Sequence, residues 1–64
     1  MNEIIITRLK KSEGKTITFF LHNNFRYAGK VTNCDDVYVE IFDDKIQGYK
    51  IIELSQIKEV EVRE

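Results

Sequence analysis

The sequence predicts an all-β fold: five short strands bent into a small barrel, with a short helix ahead of them. Three observations carry that expectation. Between Ile17 and Phe42, apolar and polar residues alternate in three runs separated by turns rich in Asn and Asp. Gly29 interrupts the middle run, and a mid-strand glycine is explained by a sharp bend or a close backbone approach, which a strongly curved barrel supplies. Two further short apolar runs follow, so that five strands fall within Lys15 to Val62.

Taken in order, Asn2 to Lys11 reads two ways. Ile4, Ile5 and Ile6 are β-branched and favour a strand, while Ile5 and Leu9 sit at helical i, i+4 spacing; a short helix is the reading adopted. Gly14 follows where a helix C-cap or loop places a glycine. Lys15 to Asn23 puts Ile17, Phe19 and Leu21 on one face and Thr16, Thr18, Phe20 and His22 on the other. Phe20 implies that this second face is partly covered as well, by the N-terminal segment or by a neighbouring subunit.

Asn23-Asn24 predicts a two-residue hairpin turn, since Asn tolerates positive φ. The next strand runs Phe25 to Asn33, with Phe25, Tyr27, Gly29 and Val31 sharing a face. Asn33-Cys34-Asp35-Asp36 is a turn whose short polar side chains can bond the backbone two residues on. Val37 to Phe42 is the third strand, Tyr49 to Leu54 the fourth, and Ile57 to Val62 the fifth after a tight turn at Ser55-Gln56.

A single domain of 64 residues buries only about 60% of the surface its unfolded chain exposes, so its own stability is marginal. Small domains gain the rest from disulfides, a metal or self-association. One cysteine, Cys34, makes no internal disulfide, and Cys34 with the single His22 falls short of a structural zinc site, so no cofactor is expected. Self-association is what remains. The lone cysteine fits a reducing cytoplasm, no apolar run approaches the roughly 20 residues of a membrane helix, and Glu3 breaks a signal-peptide reading of Met1 to Ile6. Ten Lys and Arg against eleven Asp and Glu leave a net charge of −1, so nucleic acid would be held by a local patch and not by the whole-molecule field.

The spacing of Ile17, Phe19, Leu21, Asn23-Asn24, Gly29, Asp35, Val39 and Ile41 resembles the first motif of the Sm-like (LSm/Hfq-type) proteins. That resemblance covers roughly Lys15 to Val62, with the Leu9-Lys10-Lys11 segment in the place of the family's short helix. It implies a strongly bent five-stranded barrel of SH3-like form. It also implies a hexameric or heptameric ring, closed by pairing the fourth strand of one subunit with the fifth of the next, and single-stranded RNA as partner. The second family motif falls on Glu53, Leu54 and Ser55, so the basic group of the uridine pocket is missing. The base-stacking position falls on Val37 and the base-reading position on Val39; Asp35 alone is kept. A valine does not stack as a ring does and a glutamate repels phosphate, so binding is expected away from the usual pocket.

The candidate RNA-binding residues are therefore Arg8, Lys10, Lys11 and Lys15, a basic cluster that a ring would repeat, together with Asp35 and the tyrosines Tyr38 and Tyr49 as stacking surfaces. The bland readings are a solvated helix face for the cations and core or interface for the aromatics. Asp35-Asp36 as a catalytic or metal-binding pair is explained equally by its turn position. No phosphate-binding glycine loop, nucleophile elbow or metal spacing points to an enzyme. The rival to RNA binding is a structural or protein-interaction barrel, favoured by the near-neutral charge and the altered pocket.

Overall fold

The computed structural model describes residues 3–63, so Asn2, included in the expected helix, lies outside the described residues. Helix α1 spans Glu3–Lys10, and strands β1 to β5 span Thr16–Leu21, Arg26–Cys34, Tyr38–Asp43, Gly48–Glu53 and Ile57–Val62, with a single 3-10 turn, Leu54–Gln56, before β5. The ambiguous isoleucine run is helical. Glu3 lies in its first turn and Arg8 and Lys10 in its last, the arrangement that complements the helix dipole, and Leu9 is buried. Once Leu9 is anchored in the core, tertiary packing outweighs the strand preference of three β-branched residues.

The strands form one antiparallel sheet in the order β4-β3-β2-β1-β5, which makes β4 and β5 its edges. Alternation decides which side faces in. Ile17, Phe19 and Leu21 of β1, Val31 of β2, Val39 and Ile41 of β3, Ile52 of β4 and Ile57 of β5 meet Leu9 and Leu54 in one cluster, with Ile5, Ile6, Tyr27, Val60 and Val62 packed against it. The inward residues of all five strands thus share one cluster on one side of the sheet.

Gly29 shows how closely β3 approaches β2. A Cβ built there would sit 2.7 Å from the Phe42 carbonyl oxygen of β3, so the backbone approach expected from the sequence is present. Two register shifts add bend. Thr32 is the extra residue between Val31 and Asn33 opposite β3, and its hydroxyl lies 3.1 Å from the Glu40 carbonyl and 2.9 Å from the Glu40 carboxylate. Lys58 is the extra residue on β5 where Phe20 pairs with Glu59 and Leu21 with Ile57.

Several boundaries differ from those expected, each for a local reason. The β1–β2 loop spans His22 to Phe25 instead of two residues: Asn23 Oδ1 accepts the Phe25 N–H at 3.0 Å, and Asn24 takes the positive φ of 70°. Phe25 is thereby turned out of the core face and stands 59% exposed. Asp35 holds the next turn, so β3 starts at Tyr38 and leaves Val37 outside it. β3 also runs one residue past the expected Phe42 and buries Asp43. Leu54 belongs to the 3-10 turn and not to β4.

Candidate nucleic-acid interface

The chain from α1 into β1 is fixed to β2 by main-chain bonds: Gly14 N–H donates to the Val31 carbonyl at 2.8 Å, and Val31 N–H donates to the Lys15 carbonyl at 3.0 Å. The Ser12 hydroxyl, buried, caps the helix end on the Arg8 carbonyl at 2.6 Å. These bonds place Arg8, Lys10 and Lys11 on or just beyond the last turn of α1, and Lys15 at the entry to β1. They do not leave them equivalent. Lys10 Nζ lies 2.6 Å from Asp36 Oδ1 in the β2–β3 loop, and the hydrogen bond to Asp36, with its charge, raises the Lys10 pKa above its ordinary value. Both side chains are well exposed, so the pair orients Lys10 more than it stabilises the fold. Arg8 and Lys11 face outward with Glu3, Ile4 and Thr7 along one shallow groove of the helix.

The same loop carries Asp35. Its Oδ1 accepts the N–H groups of Val37 and Tyr38, each at 2.7 Å, and those bonds, Tyr38 first and Val37 next, hold its carboxyl below the usual range. The Asp35 N–H in turn donates to the Tyr38 carbonyl at 2.9 Å. Asp35 is thus the cap that starts β3. Cys34 beside it keeps its proton: burial pushes the thiol pKa up, against the pull of Lys10.

The β2–β3 loop and the end of β4 meet beside Asp35. Leu54 N–H donates to the Val37 carbonyl at 2.8 Å, and Glu53 stands directly opposite Tyr38 across β3 and β4. Little at this meeting point is suited to hold a nucleotide. Val39 is wholly buried, Val37 is half exposed, and Glu53 offers a carboxylate. Tyr38 and Tyr49 are 47% and 63% exposed and stand at opposite ends of the outer β3–β4 face, too far apart to hold one base between them. Tyr49 pairs with Phe42 and Tyr38 with Glu53, four residues apart along the ladder, about 13 Å at strand rise. Tyr49 packs instead edge-on against Phe42, ring centres 5.3 Å apart.

One arrangement escaped sequence reasoning. Lys50 Nζ reaches inward to Asp43 Oδ2 at 3.0 Å and lies 4.2 Å from the centre of the Tyr27 ring, joining edge strand β4 to β3 and β2. The Lys50 bond, then the Lys45 N–H at 2.9 Å, holds Asp43 below the usual carboxylate range. The signal was in the alternation: Asp43 continues Val39 and Ile41, and Lys50 precedes Ile52, so both fall on inward positions. Among the described residues, no three His, Cys, Asp or Glu side chains are placed to hold a metal ion, and no helix is long and apolar enough to cross a membrane. Set against known proteins, the chain matches no family model and no curated protein.

Proposed function

We propose that this chain is a non-catalytic, cytoplasmic RNA-binding protein of Sm-like type, a small bent barrel acting as a homo-oligomeric ring. The observation that carries the assembly is the strand order: β4 and β5 are the two edges of one curled sheet, each with a free side for backbone pairing. Head-to-tail pairing of β4 with β5 of the next copy removes both edges at once and closes if the rotation allows. The ring then repeats Arg8, Lys11 and Lys15 around its circumference, with Lys10 released from Asp36 when phosphate competes for it. Contacts that are weak singly become useful by repetition. The carboxylates Asp35 and Glu53 beside Tyr38 repel phosphate, so RNA lies along the helix side and not in the loop pocket.

A second reading is supported by the same face. The outer side of β3 and β4 exposes Tyr38, Tyr49 and Ile51, which fits a protein-interaction barrel that does without RNA. A low-salt gel shift with single-stranded RNA separates the two. Lys10→Glu with Lys11→Glu should abolish a shift that the unaltered chain gives; absence of any shift with the unaltered chain leaves the protein-interaction reading.

A further inference from the structure

The outer face of β3 and β4 holds an exposed apolar surface that the RNA reading leaves unused. Tyr38, Tyr49 and Ile51 all point out of it, Ile51 at 65% exposure. A cleft of about 250 Å³ opens there, its lining made of the apolar Tyr38 and Ile51, the carboxylates Asp35 and Glu40, and Asn33 and Cys34. Glu53 adds a third carboxylate opposite Tyr38. A lining of apolar side chains and carboxylates selects a segment that is both apolar and cationic, and it disfavours a phosphate backbone.

The chain carries a segment of that kind. On α1, Ile4 is the most exposed large apolar side chain among the described residues, at 78%, and Arg8 and Lys11 follow at i+4 and i+7 on the same side of the helix. One flank of this side borders Val60 and Val62 of β5, yet Ile4 keeps most of its surface in solvent, and Leu9 in the core with Lys10 tied to Asp36 holds the helix in that orientation. A second copy supplies the fit.

We propose that α1 of one copy docks on the outer β3–β4 face of another. Ile4 enters the cleft between Tyr38 and Ile51, and Arg8 and Lys11 meet Glu40 and Glu53. The contact is heterologous and so propagates from copy to copy, independently of β4–β5 edge pairing. It goes beyond the RNA reading and competes with it, since both draw on Arg8 and Lys11.

Sedimentation velocity of the full chain across the micromolar range tests it, with folding of each variant checked by circular dichroism. Positions 4, 11, 51 and 53 are all exposed, so their substitution leaves the core intact. Ile51→Glu should weaken association about tenfold, from the loss of one buried aliphatic side chain. Lys11→Glu or Glu53→Lys alone should weaken it about threefold, and the two together should restore it, as expected of a rim charge pair. Edge pairing by itself predicts no such rescue. The proposal falls if the unaltered chain sediments as a single copy, if Ile51→Glu leaves its assembly unchanged, or if the double reversal associates no better than either single one.

Discussion

Two lysine–aspartate pairs sit at opposite corners of this fold, and their difference separates what holds the molecule together from what is left for contact. Lys10–Asp36 joins the helix to the β2–β3 loop in open solvent, with 47% and 79% of the two side chains exposed. Lys50–Asp43 lies on the inward side of β3 and β4, its carboxylate 8% exposed, braced by the Lys45 N–H and the face of Tyr27. Solvent screens the first pair and a competing phosphate or carboxylate can take its lysine. At the second pair, removal of either partner leaves a half-buried charge with nothing to answer it. Identical chemistry thus leaves an exposed, exchangeable pair at one corner and fastens an edge strand at the other.

The largest disturbance at the inner corner comes from Gly29→Ala. The added methyl meets the Phe42 carbonyl oxygen at 2.7 Å, and the neighbour that must yield is backbone, one residue from Asp43. Overpacking of this kind costs about 2 kcal/mol, or roughly 10 °C in Tm for a domain of this size. Urea unfolding should show it. A loss no greater than that of Ala28→Gly, on the exposed side of the same strand, would mean that β3 moves aside freely and that the inner corner is no more rigid than the outer one.

The same contrast explains how much of the molecule the sequence disclosed. The inward residues of β1 and the central part of β3, the turn φ of Asn24 and the constraint at Gly29 were legible because alternation and backbone sterics are local properties. The loss of Phe25 from the core face was not, since it follows from one hydrogen bond of Asn23 inside the loop. The cationic cluster was visible, but the tie that holds Lys10 depends on Asp36, 26 residues away. Asp35 could be named as a turn residue from sequence, whereas its two bonds to the start of β3 needed the fold. The Lys50–Asp43–Tyr27 junction spans three strands, and no pattern in one segment reveals such a meeting.

Removing one lysine at a time sharpens the comparison. Lys50→Met should lower the urea midpoint by several times the effect of Lys10→Met, because Met at position 50 leaves the Asp43 carboxylate without its cation beside an apolar chain. Lys10→Met exposes a carboxylate that water already reaches, and its midpoint should match that of the unaltered chain within error. Equal midpoints for the two variants would break the distinction between the corners.

The smallest effect is in pH, and the two corners should move opposite limbs of the stability curve. Asp43 is held below its ordinary 3.8, so its contribution is fully present above that value and disappears as pH falls through the lower folded value. Lys10 is held above its ordinary 10.5, so its contribution is present below that value and is lost only as pH rises through the higher folded one. Asp43→Asn should therefore flatten the acid limb below about pH 4, and Asp36→Asn should touch only a shallow alkaline limb above about pH 10. Asp35 also titrates low and stays in both variants, so the acid limb of Asp43→Asn should retain a residual slope from the cap at the start of β3. An acid limb unchanged by Asp43→Asn would transfer the whole of acid sensitivity to that cap, and with it the weaker of the two corners would be the one that holds β3.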